Sequence, residues 1–325
     1  MSFAVECVDL ERVYSTKSLL GKNKETKALR GISFSVGKGT VFGLLGPNGS
    51  GKTTTMRILS TLLTPTAGKA IVMGSDCAQK PSDVRRHIGL ILGGDRGLYG
   101  RLTGRENLKY FAALRNMPSA ETAKRIDEVL KQVDLVEAAD IKTESYSKGM
   151  KQRLHIARGI LSNPDVILMD EPTIGLDPEG AHELRVLIPH LAESGKTIIL
   201  TTHYMSEADE LSDNIAIINK GIIIASGTPS EVKKNFSKTS AMEMILRRDM
   251  TKVLHELQQL PDMHNVISVT DGPVQKLTLH MSSGADIRDA VRRILGAENI
   301  EYMAMRDSTL EEAYLSIVGK AESGQ

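Results

Sequence analysis

Gly46-Pro-Asn-Gly-Ser-Gly-Lys-Thr53 is the stretch that decides the fold. It follows the short apolar run Thr40-Val-Phe-Gly-Leu-Leu45 and opens a helix-forming segment, Lys52 to Ser60. Glycines at these positions let backbone N–H groups curl around a phosphate, and the start of the helix adds about half a positive charge. In this pattern the Lys52 ammonium reaches β/γ oxygens and the Thr53 hydroxyl ligates Mg²⁺. The competing reading is an ordinary Gly-rich strand-to-helix turn. The full pattern between strand and helix favours a nucleoside triphosphate site made of Gly46, Pro47, Asn48, Gly49, Ser50, Gly51, Lys52, Thr53 and Thr54.

Two other strand ends supply the remaining chemistry. Val166-Ile-Leu-Met-Asp-Glu171 places Asp170 and Glu171 after a continuous apolar run, the mark of a strand buried on both faces. Open α/β sheets bind ligands at that end of their strands. Asp170 suits Mg²⁺, directly or through its water, and Glu171 suits polarisation of an attacking water. A pair of acids closing a strand can also be a solvated loop; beside a phosphate loop, the chemical reading is stronger. Thr197-Ile-Ile-Leu200 leads in the same way to Thr201-Thr-His203, whose imidazole is either structural or a hydrogen-bond partner of the γ-phosphate.

Around these motifs the composition is that of an ordinary globular chain. The 325 residues are 41% hydrophobic and 25% charged, and a net charge of +1 asks for no nucleic-acid partner. Two cysteines, Cys7 and Cys77, are too few for a disulfide framework or a zinc site and suit a reducing compartment. Met1 to Leu10 carries Glu6 and Asp9 and lacks the pattern of a signal peptide. The most apolar stretch, Ile215 to Ala225, is interrupted by Asn219-Lys220-Gly221, which reads as a hairpin turn. A bilayer span needs about 20 mostly apolar residues, so the chain is not expected to cross a membrane by itself.

The organisation expected is an α/β domain over 1–237, with a helical subdomain at about 93–163, and a second domain over 238–325. Within the helical part, Thr103 and Glu106 have capping-box spacing, and Ile126, Val129, Leu130 and Val133 share one helix face. Beyond 238 the expected strands are Met242–Leu246, Asn265–Val269, Val274–His280 and Ile300–Met305. Helices are expected at Met250–Leu260, Asp286–Leu295 and Thr309–Val318. That β-α-β-β-α-β order predicts a small α+β, ferredoxin-like domain.

The order of the motifs closely resembles the ATP-binding subunits of ABC transporters, over about Phe3 to Lys234. After the phosphate loop comes Tyr146-Ser-Lys-Gly-Met-Lys-Gln-Arg153, similar to the family signature L-S-G-G-Q-x-Q-R at Ser147, Gly149, Gln152 and Arg153. Tyr146, Lys148 and Met150 depart from it. Asp170-Glu171, then Gly175-Leu-Asp177, similar to the family's D-loop, and His203 follow in the family's order. The resemblance implies a P-loop NTPase fold and an ATPase using ATP and Mg²⁺. Two chains would pack head to tail, with Ser147 and Gly149 of one against the γ-phosphate held by the other. Tyr14 lies where the family has an aromatic that stacks on adenine. A glycine, Gly93, stands where the family has a Mg²⁺-ligating Gln, and a basic segment spans Ser15 to Arg30.

Tyr146–Arg153, Thr201–Glu210 and Leu310–Val318 further resemble bacterial exporter ATPases of the daunorubicin-resistance type. That likeness implies a homodimer bound to a separate membrane permease at the cytoplasmic face. It implies efflux of a drug-like, lipid or glycan substrate; the C-terminal domain is itself expected to stabilise the homodimer. The alternative is a nucleotide-binding regulatory subunit that hydrolyses poorly because Gly93 replaces Gln. A two-cassette protein is disfavoured by the single phosphate loop, and a coiled-coil chromosome ATPase by the short interval between Lys52 and Ser147.

Overall fold

A computed structural model describes residues 3–16, 24–92, 97–236, 239–271, 274–282, 287–306 and 308–323. The chain forms two compact units, Met1–Pro229 and Ser230–Gln325. Gly93, like Lys17 and Lys22 of the basic segment, lies outside the described residues.

The first unit is built on six strands: β3 (Val41–Leu45), β6 (Ile88–Leu92), β7 (Val166–Asp170), β8 (Thr197–Thr202), β9 (Asn214–Asn219) and β10 (Ile222–Gly227). Their order is β10-β9-β3-β8-β7-β6, parallel throughout except for β10. Every residue of β3 and β8 is buried, which explains the continuous apolar runs Val41–Leu45 and Ile198–Leu200. Lys220 and Gly221 both take positive φ, 48° and 81°, the two-residue turn that matches strand twist, and close the expected hairpin between β9 and β10.

A second, antiparallel sheet joins β1 (Phe3–Thr16), β2 (Lys24–Gly37), β4 (Ala67–Val72) and β5 (Ser75–Asp76) in the order β2-β1-β4-β5. The sequence pattern does not announce β1 and β2. Their pairing shifts register four times, between Phe3/Val5, Cys7/Leu10, Leu10/Glu11 and Arg12/Val13, and each shift breaks the period-two alternation. Val5, Cys7, Leu10, Leu29 and Ile32 of this sheet share one core with Met56 and Ile58 of α1 (Lys52–Leu59) and with Phe42 and Leu168 of the parallel sheet. That packing fixes the phosphate loop between the two sheets. The expected helix over Lys52–Ser60 stops one residue early, with Ser60 as its cap.

Helices α2 (Pro81–His87), α3 (Gly104–Leu114), α4 (Ser119–Gln132), α5 (Lys148–Ile160), α6 (Pro178–Glu193) and α7 (Met205–Leu211) complete this unit. The capping box at α3 forms: Glu106 N donates to Thr103 Oγ1 at 3.1 Å and Thr103 N donates to Glu106 Oε2 at 2.8 Å. Ile126, Val129, Leu130 and Val133 are buried in one core with Leu154 and Ala157 of α5, Val133 serving as the cap of α4.

Helix α8 (Pro229–Phe236) leads to the second unit. There β11 (Thr239–Leu246), β12 (Met263–Asp271), β13 (Val274–Ser282) and β14 (Ile300–Arg306) form an antiparallel sheet ordered β12-β13-β11-β14. Helices α9 (Leu254–Gln258), α10 (Arg288–Leu295) and α11 (Leu310–Ser323) accompany it. The β-α-β-β-α-β order is as expected. The helix expected over Met250–Leu260 is shorter: a 3₁₀ turn at Thr251–Val253 precedes the five residues of α9. Met242, Met244, Leu277, Leu279, Val291 and Leu295 form this unit's own core. Among the described residues, no helix is long and apolar enough to cross a membrane.

Candidate nucleotide site

Helix α1 begins where β3 ends, and the turn between them is steric necessity. Gly46 has φ +153°, and a Cβ there would sit 2.1 Å from Ile218 O. Gly51, at φ +121°, would press a Cβ to 2.7 Å from Leu29 Cδ2 and 2.9 Å from Ala28 O. Both glycines therefore owe their identity to close backbone approach as well as to φ. Lys52, only 4% exposed, donates to Gly46 O at 2.7 Å and Pro47 O at 3.2 Å and lies 3.6 Å from Glu171 Oε1. Burial lowers its pKa from the ordinary lysine value, and Glu171 partly offsets the shift. Ser50 Oγ is buried with no hydrogen-bond partner among the described residues.

The ends of β7 and β8 meet this turn. Thr201 Oγ1 donates to Asp170 Oδ1 and accepts from Glu171 N at 3.0 Å. Glu171 N also donates to Thr201 O at 3.1 Å, and Glu171 holds the left-handed φ of +49°, a strained value for a side-chain-bearing residue. Thr53 Oγ1 lies 3.4 Å from Asp170 Oδ1. A hydroxyl beside a carboxylate is a hard-oxygen pair that would fit Mg²⁺. His203 Nδ1 stands 3.4 Å from Glu171 Oε1 without hydrogen-bond geometry. Asn48, Gly49, Thr53, Asp170, Glu171 and Ile174 line a cleft of about 590 Å³. The structure thus gathers Lys52, Thr53, Asp170, Glu171 and His203 at one end of the parallel sheet.

The other expected residues are not part of that cluster in the same way. Ser147 caps α5, its Oγ accepting from Met150 N at 3.2 Å, and Asp177 caps α6, accepting from Gly180 N at 3.0 Å. The two helix starts approach closely, since a Cβ on Gly149 would lie 3.7 Å from Gly180 Cα. Tyr146, at the first departure from the signature, is buried, and its hydroxyl donates to Ala138 O. Tyr14 is half-buried on β1 opposite Thr26, with the Arg12 guanidinium 4.9 Å from its ring centroid.

Two residues escape sequence reading. Nothing in the spacing marks Thr201 as the hydroxyl joining both acids, because its partners come from a neighbouring strand. Gly180 lies outside every quoted motif and touches the signature helix only through the tertiary fold.

Residues 29–174 match the family described as ABC transporter. The chain is 36% identical over 301 residues to the daunorubicin resistance ATP-binding protein DrrA3 of Streptomyces coeruleorubidus, covering 91% of this chain and 92% of that protein. It is 37% identical over 310 residues to the doxorubicin resistance ATP-binding protein DrrA of Mycobacterium tuberculosis, covering 94% and 92%. A solved ATP-binding cassette, dimeric in a post-hydrolysis state with ADP and Pi, matches at 27% identity and a TM-score of 0.61, over 69% of this chain and 98% of that one.

Proposed function

The chain is an ABC transporter ATP-binding protein of the drug-resistance type, and on that premise we propose that it hydrolyses ATP as a head-to-tail homodimer driving a separate membrane permease. The observation that carries this reading is one cluster: Thr53, Asp170 and Glu171 line a common cleft, and Lys52 and His203 lie 3.6 Å and 3.4 Å from the Glu171 carboxylate. Lys52 and the amides of Gly49 to Thr53 would hold the β- and γ-phosphates, while Thr53 and Asp170 would hold Mg²⁺. That ion neutralises phosphate charge when bound. Glu171 accepts the proton of the attacking water, and its backbone is locked by two hydrogen bonds to Thr201. His203, next to the same carboxylate, orients toward the γ-phosphate.

The partner chain would complete the site through the start of α5. Ser147 Oγ accepts from Met150 N and keeps its proton to donate to a γ-phosphate, and the helix start adds its dipole. Gly149 leaves that approach open. Tyr14 stacks on adenine.

The permease is read to dock at the groove beside β6. Leu62, Ile88, Leu90 and Met117 floor this groove of about 460 Å³, and Arg85, Arg86 and Arg115 rim it. Such a floor and rim suit a short helix with apolar and acidic side chains. The assembly would then sit at the cytoplasmic face of the membrane. The transported substrate is read as a drug-like molecule, a reading supported by relatives named for daunorubicin and doxorubicin resistance.

Phosphate release by the purified chain over a concentration series tests the reading, with Glu171→Gln as the blank. A rate that rises more steeply than linearly and vanishes in the variant supports it. Saturated ATP binding without release, alone and with permease-containing membranes, overturns it.

A further inference from the structure

The Arg12 guanidinium lies over the proposed base-stacking ring, and nothing in the proposed reaction uses it. It sits two residues before Tyr14 on β1, so both side chains leave the same face of the strand. Its Cζ lies 4.9 Å from the ring centroid, inside the range in which a guanidinium is attracted to an aromatic face. Arg12 Nη1 donates to Thr64 O at 2.9 Å, tethering the group to the loop after α1. The same loop is bonded to the strand on both sides, through Val13 N to Thr66 Oγ1 at 3.0 Å and Thr66 N to Glu11 O at 2.8 Å. The guanidinium is thus held against the ring by the segment that follows the phosphate-binding helix.

The strand pairing then ties ring and phosphate loop together. Arg12 pairs with Leu29 and Tyr14 with Thr26, and the register shift between Arg12 and Val13 leaves Ala28 as the extra residue on β2. Ala28 O and Leu29 Cδ2 are the atoms that a Cβ on Gly51 would strike. Tyr14 is therefore placed two residues along β2 from the strand segment that packs on the phosphate loop.

We infer that Arg12 is a positioning residue for the nucleotide base: it occupies one face of Tyr14, fixes the ring's rotation and leaves the opposite face for a purine. This rests on the reading of Tyr14 as the adenine-stacking residue. The charge also draws π density from the free face, which eases stacking against an electron-rich base. Arg12 acts only through the ring, so its effect belongs to the base and not to the phosphates.

The test is a double-mutant cycle in the full chain, with ATP and inorganic tripolyphosphate as probes. Arg12→Met should weaken ATP binding by about twofold to fivefold, in line with a partly exposed cation–π contact. It should leave tripolyphosphate binding unchanged, and Arg12→Lys should recover part of the loss. Tyr14→Ala should weaken ATP binding further, and Arg12→Met should cost nothing more in that background. An Arg12→Met variant that binds ATP like the parent overturns the inference while leaving the Tyr14 reading in place. Equal losses for ATP and tripolyphosphate, or the same loss with and without Tyr14, overturn it too, because Arg12 is then a packing or phosphate residue. A Tyr14→Ala chain that binds ATP normally removes the Tyr14 reading and the inference with it.

Discussion

The Glu171 carboxylate lies 3.6 Å from the Lys52 ammonium, an ion pair at the end of the parallel sheet, and on the proposed reading the nucleotide's own charge would compete for the same cation. On that reading Glu171 would oppose phosphate binding while it serves the water. Glu171→Gln is expected to lower turnover by at least about 100-fold, the usual worth of a general base. The same change should tighten ATP binding, since Lys52 is released and a negative charge is removed. Single-turnover phosphate release and ATP binding, measured on one preparation, check both arms; turnover within tenfold of the parent would mean that another group takes the proton.

Thr201 holds Asp170 and Glu171 at once, through one hydroxyl. Thr201→Val keeps the shape and removes that hydroxyl, at a cost of about 1–3 kcal/mol for the groups left unpaired. A Mg²⁺ titration of turnover should show a higher half-saturating concentration for the valine variant and a near-parental one for Thr201→Ser. Identical titrations for valine and parent would refute the link.

Gly46 and Gly49 both have positive φ, and only one of them is sterically enclosed. A Cβ at Gly46 meets Ile218 O at 2.1 Å, whereas one at Gly49 meets nothing within 4 Å. Gly46→Ala should lose ATP binding and cooperative unfolding together. Gly49→Ala should pay only the left-handed penalty of about 1–2 kcal/mol and keep its fold. Thermal melts of the two variants decide this, and equal destabilisation would be the contrary result.

Lys52 carries a pKa lowered by burial. Between that value and the ordinary lysine pKa the unfolded chain binds more protons than the folded one, so stability without ligand rises with pH across this window. ATP needs the ammonium, and its affinity should fall as pH climbs through the lowered pKa, before ordinary lysines titrate. Lys52→Arg stays charged and should flatten that decline, relative to its own neutral-pH affinity. An ATP dissociation constant constant up to the ordinary lysine range would contradict the shift.

Cys7 and Cys77 are 2% and 4% exposed. Burial pushes the Cys77 thiol up to about 12 and raises that of Cys7 further. Neither should react with an aromatic disulfide reagent at mildly alkaline pH until the chain unfolds, because the thiolate is the reacting form. Burst labelling of the native chain would show that the first unit opens locally.

Several features were readable because neighbouring residues in the chain suffice to create them. The phosphate loop, the acids closing β7, the capping box of Thr103 and Glu106, and the hairpin at Lys220-Gly221 depend on short-range spacing, where φ preferences and buried periodicity act. The β-α-β-β-α-β order after residue 238 was legible for the same reason, although packing shortened the helix at Met250–Leu260 to α9. The β1–β2 pairing was hidden, because four register shifts erase the alternation that marks a strand.

What only the tertiary structure decided is which distant groups share a hydrogen bond or a face. Thr201 reaches Asp170 because β7 and β8 pair in parallel register, Gly180 meets Gly149 because α5 and α6 pack, and Arg12 covers Tyr14 because Thr64 tethers it. The sequence by itself determined the family, the glycine-rich turn after β3 and the acids that close β7, since those need only residue type and order. The positions of their supports depend on contacts between segments far apart in the chain, and such contacts form only when the two sheets and the helices close on a common core.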